Sequence, residues 1–479
     1  MKISIQNFKS IQNIDRFRLK PITVLSGVNS SGKSSLIQCL LMIKQTVELD
    51  SSKHQLQIKG NLFSVREYRD LLTGKLEENE FGFTLEFTKS ELAIVKNRPP
   101  TLFDSFDDYK CSLKAIYGHH KHRPYIHQLT ISYHLPNGNK NEQYVKFIVD
   151  LEKSKYEIEA NSEYFGEGLW SNPPLVQNIQ FSSIFPSYYV TKRSELVEST
   201  LKDEPPGIEE TIKKEYPKVD DIKFMIDHYF ENLSYIGPLR EAPRDEYLIR
   251  GEPDSVGDKG QHVAFILKEY SALKTSYYKI TETGEEITYT KHDATLLEAV
   301  KYWVCDVFQF AKDIFSKPVG ESYEIILVDQ SGLETTIRHV GFGVSQLLPV
   351  IVQGLIMNEG GTLVLEQPEI HLHPKIQSWL FDFIHTLALS NRNVLIETHS
   401  DHFITRMRRR IAEDSSAKLQ DEISLTFIEN DSGKNVYRTL NLDDLGTLEY
   451  FPKDFIEQAG SELKAIVKAQ MRKRKSSKL

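Results

Sequence analysis

The feature that most constrains the fold is a glycine-rich segment that separates a strand pattern from a helix pattern. Residues 27–34 read Gly-Val-Asn-Ser-Ser-Gly-Lys-Ser, which is the P-loop pattern G-x-x-x-x-G-K-S. The apolar stretch 20–26 precedes it, and the helix-forming stretch 35–43 follows it. In that context the main-chain N–H groups and the helix N-terminus face an anion. A chance glycine-rich turn seldom carries the complete motif, so the sequence predicts an α/β fold with a site for nucleotide phosphates.

Length and composition predict a cytoplasmic globular protein. The chain has 479 residues, which is enough for two or three domains, and 40% of them are hydrophobic. We find neither an apolar run near the ~20 residues that span a bilayer nor a signal-peptide pattern. We therefore expect no membrane association. The cysteines lack the spacing of a metal or disulfide motif and are expected to be reduced thiols; they are Cys39, Cys111 and Cys305.

The charge distribution bears on nucleic-acid binding. The net charge of −8 argues against a protein that wraps DNA or RNA around its whole surface. Three basic clusters, at residues 119–123, 406–410 and 472–478, leave local contact with nucleic acid open. Solvated surface is the simpler interpretation of each cluster.

A second apolar stretch ends in carboxylates. Residues 361–365 read Gly-Thr-Leu-Val-Leu and lead into Glu366-Gln367-Pro368-Glu369. A carboxylate at the end of such a strand can help to hold Mg²⁺ beside a P-loop, which is the Walker B arrangement. An ordinary buried strand with an acidic end is the alternative, and the P-loop disfavours it. We assign the Walker B position to Glu366.

Two further segments extend this pattern. The apolar stretch 393–398 ends at His399, which follows Walker B by one strand and suggests a switch histidine near the γ-phosphate. Residues 340–346 form a small-residue turn before a helical stretch, similar to the signature motif of ABC ATPases. We interpret His371 and His373 as polar loop residues, because no carboxylate or cysteine set completes a metal site.

The order of these motifs resembles that of the ABC-type ATPases of the SMC, RecF and OLD group. Within that group, Glu-Gln-Pro-Glu-x-His-Leu-His-Pro at residues 366–374 and Gly-Phe-Gly-Val-Ser-Gln at residues 341–346 are similar to OLD-related defence ATPases. Residues 3–11, 235–240 and 445–452 also fit. Within the same group the chain also resembles the PtuA-type ATPase subunits of Septu or retron-associated antiphage systems.

The resemblance implies a fold, cofactors and partners. The fold would be an α/β, ABC-type (RecA-like) ATPase head with an antiparallel β lobe and a large mixed β and helical insert. ATP and Mg²⁺ would be bound, and the chain would form a head-to-tail dimer or a higher oligomer. An effector nuclease, such as an HNH protein, would be the partner. The implied domains are a head at residues 1–90 and 321–445, an insert at 91–320, and a C-terminal helical segment with a basic tail at 446–479.

The resemblance also implies roles for individual residues. Ser34 and Glu366 would bind the metal, and Gly343 and Ser345 would bind the γ-phosphate held by a second copy. The catalytic positions would be Glu366, Gln367, Glu369 and His399, and the nucleotide-binding positions would be Gly27, Asn29, Ser31, Gly32, Lys33, Ser34, Ser35, Gly343 and Ser345.

One departure from the family pattern leaves the hydrolytic activity open. The residue after the Walker B carboxylate is usually a glutamate that polarises the attacking water, but here it is Gln367. A missing general base typically costs roughly 10²–10⁴-fold in rate. Either Glu369 or His399 takes over this role, or hydrolysis is slow and ATP mainly holds a dimer together. A glutamine can still orient a water.

Three other functions compete with this one. A DNA-repair ATPase of the RecF type shares every motif, and a non-hydrolysing scaffold would explain Gln367. A transporter ATPase is disfavoured, because its signature would resemble Leu-Ser-Gly-Gly-Gln. We do not expect the chain itself to cut DNA: it has no HNH pattern with zinc-binding cysteines, and the stretch after residue 399 is too short for a toprim domain.

The remaining patterns predict local structure. Residues 81–160 read as strands with a hairpin turn at Asn137-Gly138, and hairpins are also expected to turn at 329–332 and 431–433. Residues 455–474 read as a helix. Arg240 and Arg244 either face nucleotide or a partner, or form ordinary surface ion pairs.

Overall fold

The chain forms two compact units. The computed structural model describes residues 1–28, 32–49, 55–76, 79–88, 91, 109–120, 123–134, 143–160, 176–191, 212–215, 220–248, 250–283, 286–431, 434–450 and 452. The first unit comprises Met1–Leu19 and Ser34–Leu233, and the second comprises Lys20–Lys33 and Ser234–Leu479. The domain boundaries inferred from the sequence stay a prediction.

Strands outnumber helices in the described residues. The strands are β1 (Lys2–Phe8), β2 (Ile11–Arg18), β3 (Ile22–Gly27), β4 (Phe81–Thr88), β5 (Lys110–His120), β6 (Arg123–His134), β7 (Gln143–Asp150), β8 (Lys155–Ala160), β9 (Val176–Ser182), β10 (Phe185–Thr191), β11 (Ile212–Glu215), β12 (Leu233–Ile236), β13 (Tyr247–Leu248), β14 (Lys274–Thr283), β15 (Glu286–Thr295), β16 (Asp313–Val319), β17 (Ser322–Val328), β18 (Glu334–Thr336), β19 (Thr362–Glu366), β20 (Asn393–Glu397), β21 (Ile423–Asp431) and β22 (Lys434–Leu440). The helices are α1 (Lys33–Glu48), α2 (Asp220–Glu231), α3 (Val263–Glu269), α4 (Leu296–Lys301), α5 (Phe342–Ile356), α6 (Pro374–Leu389), α7 (Asp401–Glu413) and α8 (Leu419–Glu422).

The first unit contains an antiparallel sheet with the strand order β2-β1-β4-β5-β6-β7-β8. Side chains on one face are buried: Phe83, Leu85 and Phe87 of β4 are covered, whereas the residues between them are half-buried. This alternation is what a strand with one face on a core requires. The predicted pairing of the strands that flank Asn137-Gly138 is confirmed by β6 and β7, while the turn itself lies outside the described residues.

The second unit contains a mainly parallel sheet with the order β12-β19-β20-β3-β21-β22. Strands β19, β20, β3 and β21 run parallel, and each is buried along most of its length, as expected when both faces of a sheet are covered. The register pairs Glu366 with Glu397, Glu397 with Leu25, and Gly27 with Ile428. The carboxyl ends of the P-loop strand and the Walker B strand therefore meet at one edge, with the end of β20 between them.

Together the two sheets confirm the predicted α/β class with an antiparallel β lobe. The strands of the hairpins predicted to turn at residues 329–332 and 431–433 pair as β17/β18 and β21/β22, and residues 432–433 of the second turn lie outside the described residues. The helix predicted at residues 455–474 lies outside the described residues. Across the part of the chain that the structure describes, no helix is long and apolar enough to cross a membrane.

Two arginines of the basic cluster at residues 406–410, Arg406 and Arg410, form an internal ion-pair network, so neither interpretation offered for the cluster from the sequence describes these two side chains. The guanidinium of Arg410 is 1% exposed and its partner Asp382 on α6 is 2% exposed, with Nε and Oδ1 2.7 Å apart. Arg406 also binds Asp382, at 2.7 Å, and Glu282 of β14 binds both arginines, at 3.1 and 2.7 Å. Two cations thus share two carboxylates from distant parts of the chain.

The other two arginines of the cluster are used differently. Arg408 donates from Nε to the main-chain carbonyl of Gly446 at 2.8 Å. Arg409 is 55% exposed and pairs with Glu413 one helical turn away. Arg409 is therefore a natural control for its buried neighbour.

Replacing Arg410 by methionine removes one of the two arginine partners of the buried carboxylate of Asp382, whereas Arg409→Met breaks only an exposed pair. We expect Arg410→Met to lower the free energy of unfolding by about 3 kcal/mol and Arg409→Met to lower it by less than about 1 kcal/mol. Urea denaturation of the two variants measures the difference. Equal losses in both variants would contradict the internal network.

A buried histidine, His385 of α6, lies near this network. Its ring packs edge-on against Tyr289, with centroids 4.8 Å apart, and stacks with Phe381. Burial lowers the pKa of His385 to about 4, from 6.5 in a solvated chain. His385 is therefore neutral in the folded protein at pH 7.

The lowered pKa gives the stability a defined pH dependence. Between pH 6.5 and 4 the unfolded chain binds a proton at His385 that the folded chain does not, so acidification favours unfolding. We expect His385→Phe to retain about 2 kcal/mol more of its unfolding free energy than the wild type between pH 7 and pH 5. Urea titrations at both pH values test this, and identical pH slopes would contradict it.

Candidate functional site

The P-loop begins where β3 approaches its neighbour closely. Gly27 has φ +150°, and a Cβ built on it would lie 2.2 Å from the main-chain oxygen of Ile428 on β21. No larger residue fits without separating the two strands, which is the physical reason for the first glycine of the motif. Gly32 has φ +87° and accepts a hydrogen bond from the hydroxyl of Tyr437 at 2.6 Å. Asn29 and Ser31, two predicted phosphate ligands, lie outside the described residues.

Lys33 is buried at the start of α1. Its ammonium donates to the main-chain carbonyls of Gly27 and Val28 at 3.1 and 2.6 Å. Burial lowers the pKa of Lys33, and the negative charge of Glu397 opposes this shift. A buried ammonium that is held by neutral carbonyls fits a polyphosphate, whose oxygens are stronger acceptors.

The next two residues of the motif stand at the start of the same helix. Ser34 follows Lys33 as the second residue of α1. The hydroxyl of Ser35 is 2.7 Å from that of Ser10, so Ser35 has a hydrogen-bond partner on the chain itself. The predicted roles of both serines at phosphate and metal stay proposals.

The Walker B carboxylate is held by a tyrosine that the sequence did not single out for function. Glu366 is buried at the end of β19, and its Oε1 accepts a hydrogen bond from the hydroxyl of Tyr235 at 2.8 Å. Burial, and then the charge of Glu366, raise the pKa of Tyr235 well above its usual value. Tyr235 therefore stays protonated and donates to the carboxylate.

Arg240 clamps the turn that follows the Walker B strand. It is buried and donates to the main-chain carbonyls of Glu366, Gln367 and Pro368, at 3.4, 3.3 and 3.0 Å. Burial lowers its pKa to about 10, and the charge of Glu369 opposes the shift. Of the two uses offered for Arg240, neither a ligand contact nor a surface ion pair describes these contacts. Arg244 does form an exposed ion pair, with Glu241.

Gln367 and Glu369 occupy one tight turn. Gln367 has φ +44°, and its N–H donates to the carbonyl of Glu397 at 2.8 Å. Glu369 is buried, and its Oε1 accepts the main-chain N–H of His399 at 2.6 Å. Burial raises the pKa of Glu369. Among the described residues, its Oε2 has no hydrogen-bond partner.

The end of β20 supplies two further groups. Glu397 is buried and acts electrostatically on Lys33. The sequence analysis assigned no role to Glu397, because the motif order singles out His399 in the same segment. His399 is exposed, and partial desolvation together with the positive charge of Lys33 lowers its pKa. The structure thus brings Lys33, Glu397 and His399 within electrostatic reach of one another.

The signature residues lie in the first turn of α5, beside the Walker B turn. The hydroxyl of Ser345 donates to the carbonyl of Phe342 at 2.8 Å, and the ring of Phe342, which is exposed, lies 5.9 Å from that of His371. A Cβ on Gly343 would meet Phe310, the carbonyl of His371 and Leu372 at ordinary contact distances of 3.5–3.7 Å. His373 caps α6 by accepting the N–H of Lys375 at 3.3 Å, which agrees with a structural role.

Comparison with known proteins places the chain in a family. No curated protein matches it significantly. A family model described as AAA ATPase domain (AAA_15) matches residues 1–404. This range contains the P-loop, the Walker B strand and His399.

Similar solved structures include heads of SMC proteins. One is an SMC head domain from Thermotoga maritima, with 9% identity over 91% of this chain and 97% of that chain and a TM-score of 0.34. Another is an SmcHead bound to the C-winged helix domain of ScpA, with 12% identity over 92% and 98% and a TM-score of 0.37. A third is an Smc head domain with an extended coiled coil, bound to the C-terminal domain of ScpA and derived from Pyrococcus furiosus, with 11% identity over 97% and 98% and a TM-score of 0.37.

TM-scores this low do not establish a common fold, so the assignment rests on the family match and on the site. The match supports the ATPase group predicted from the motif order and implies nucleotide binding. Because the matched range covers far more than half of the chain, this protein belongs to the AAA ATPase domain family.

Proposed function

We propose that the chain binds ATP with Mg²⁺ and forms a head-to-tail dimer around two nucleotides. The observation that carries the proposal is the edge of the parallel sheet, where a buried Lys33 and the carboxylates Glu366, Glu369 and Glu397 converge at the ends of three strands. Lys33 would bind the β- and γ-phosphates, and Ser34 and Glu366 would hold the metal. Mg²⁺, when bound, neutralises charge on the phosphates.

We assign the role of general base to Glu369 rather than to Gln367. The amide of Gln367 cannot accept a proton, whereas Glu369 is a buried carboxylate with a raised pKa, which makes it a stronger base than a solvated one. Its Oε1 is fixed by the N–H of His399, and its Oε2 is free of partners among the described residues. An attacking water would donate to Oε2. His399 would respond to the γ-phosphate from the adjacent strand end.

The exchange Glu369→Gln tests this assignment. We expect turnover of ATP to fall about 10²–10³-fold while ATP affinity changes less than about threefold, because only the proton acceptor is removed. The wild-type rate should fall as the pH falls through the raised pKa of Glu369, and this acid limb should be missing from the variant. The exposed residue Glu359 provides a control, since Glu359→Gln should leave both quantities unchanged.

Turnover and binding together separate the alternatives. Wild-type turnover no faster than that of Lys33→Ala, together with tight ATP binding, would favour the non-hydrolysing scaffold. Full ATPase activity in Glu369→Gln would show that another residue is the general base, and His399 is the next candidate.

The composite site can be tested at Gly343. A Cβ fits there without a clash, and an acidic residue in the first turn of a helix suits the helix dipole, so Gly343→Asp should fold. Its carboxylate would repel the γ-phosphate of a second copy. We expect Gly343→Asp to bind ATP but to lose ATP-dependent self-association in sedimentation velocity, while Gly343→Ala retains it. Self-association of Gly343→Asp equal to that of the wild type would contradict the head-to-tail arrangement.

We further propose that the ATP-dependent dimer signals to an effector nuclease, such as an HNH protein, in antiphage defence. The support is the likeness of residues 341–346 and 366–374 to OLD-related defence ATPases, the group within which the chain resembles PtuA-type subunits. The alternative is DNA binding of the RecF type. The internal pairing of Arg406 and Arg410 favours the effector, because it withdraws two of the four arginines of this cluster from the surface that would contact DNA. DNA affinity that falls steeply with salt would favour the alternative.

A further inference from the structure

A short segment of the second unit contacts both halves of the proposed composite site. This segment, residues 235–247, is called the strap below. At its start, Tyr235 donates to the carboxylate of Glu366, and Arg240 donates to the carbonyls of the Walker B turn. Arg240 is buried and Tyr235 is half-buried. This end of the strap is therefore fixed to the Walker B turn.

The other end of the strap binds the residues that lead into α5. Asp245 accepts a hydrogen bond from the hydroxyl of Thr336 at 2.9 Å and pairs with Arg338 and His339, at 2.5 and 3.4 Å. Residue 339 is followed closely by Gly341, the N-cap of α5. The signature residues Gly343 and Ser345 stand in the next turn.

A third contact joins α5 to the base of the strap. The buried side chain of Gln353, on α5, accepts the N–H of Val256 at 3.0 Å and donates to the hydroxyl of Ser234 at 2.9 Å. Ser234 directly precedes Tyr235. The position of α5 is thus linked to the strap both at its N-terminus, through Asp245, and in its second half, through Gln353.

The two ends differ in how firmly they are held. The contacts of Arg240 are buried, so breaking them would leave a buried positive charge without its hydrogen-bond partners. The side chains at the other end are 40% (Asp245), 59% (Arg338) and 65% (His339) exposed, and ion pairs this exposed are weak and easily exchanged. One end behaves as a fixed anchor and the other as a contact that can be made or released.

We propose that Asp245 is a positioning residue through which the state of a chain's own nucleotide site sets the signature turn that this chain offers to a second copy. The inference rests on the proposed function, since it assumes ATP at Lys33 and Glu366. Ligand binding at Glu366 changes what Tyr235 donates to and where the Walker B turn lies. Because Arg240 is hydrogen-bonded to the Walker B turn, a shift of that turn displaces the strap. Asp245 then shifts residues 336–339, to which it is bonded. Coupling of this kind needs contacts that differ between two states.

Hydrogen exchange of the intact chain, with and without Mg²⁺-ATP, tests the coupling. The amides of residues 341–347 are followed at a dilution where sedimentation finds single chains, so that burial by a second copy does not contribute. We expect ATP to change their exchange rates several-fold in the wild type. In Asp245→Asn the change should shrink by more than half, although ATP affinity stays within about twofold. Arg244→Gln, which alters an ion pair inside the strap, is the matched control and should respond like the wild type.

A second variant tests the fixed end and covers the case in which Asp245→Asn does not fold. Tyr235→Phe, saturated with ATP, should also lose most of the response, because the link to Glu366 is broken while Asp245 is intact. A full wild-type response in either folded variant overturns the proposal, and so does a wild type that binds ATP without any response. Absence of ATP binding, measured in parallel, overturns the proposed function itself and the coupling with it.

Discussion

The pairing of β3 between β20 and β21 is the constraint on which the site depends. It places the P-loop, Glu397 and, one strand further, Glu366 at a single edge of the sheet. Register in a buried sheet is strongly specified, because a slip by one residue turns every side chain to the opposite face. At Gly27 the main chain of the neighbouring strand β21 comes so close that only a hydrogen atom fits in place of a side chain. A local motif and a long-range strand pairing therefore require each other.

Around this edge the chain buries several charges, and each has an identifiable counterpart. Lys33 is attracted by the negative charge of Glu397, and Arg240 by that of Glu369. Glu366 accepts a hydrogen bond from the hydroxyl of Tyr235. Charges taken out of water are tolerated only when they are paired or hydrogen-bonded. Such groups cannot reorient freely, and a fixed arrangement of dipoles is what stabilises developing charge during phosphoryl transfer. Among the residues that the structure describes, the Oε2 of Glu369 and the Nε of Arg240 have no hydrogen-bond partner at this site, and Oε2 is the atom to which we assign the proton.

The sequence predicted the local elements of this site well. The P-loop helix, the strand ending in Glu366 and the strand before His399 each carry a pattern that spans a few neighbouring residues. The contacts of Tyr235 and Arg240 were not predicted, because their partners lie more than 120 positions away and no local pattern encodes such a contact. Residues 235–240 were matched to the family as a segment; Tyr235 was given no role, and Arg240 was expected to face nucleotide or a partner or to form a surface ion pair. Glu397 stands at the acidic end of an apolar strand, the pattern that identified Glu366, but the sequence analysis assigned a role only to His399 in this segment.

The arginine cluster at residues 406–410 shows that a local pattern can also mislead, because contacts with distant residues decide which side chains are buried. Four arginines within five residues suggest an exposed basic face, yet Arg410 is among the most deeply buried large side chains of the chain. Its dependence on Asp382 also restricts how this protein can change over evolutionary time. Losing either member alone unbalances the charges of the network, because Asp382 would keep only Arg406, or Arg410 would keep only Glu282 and Glu413. Exchanging both for a well-packed apolar pair can be neutral or stabilising. Substitutions at these two positions are therefore expected to occur jointly. The charged pair and an apolar pair are both stable, whereas each single mutant is less stable than either.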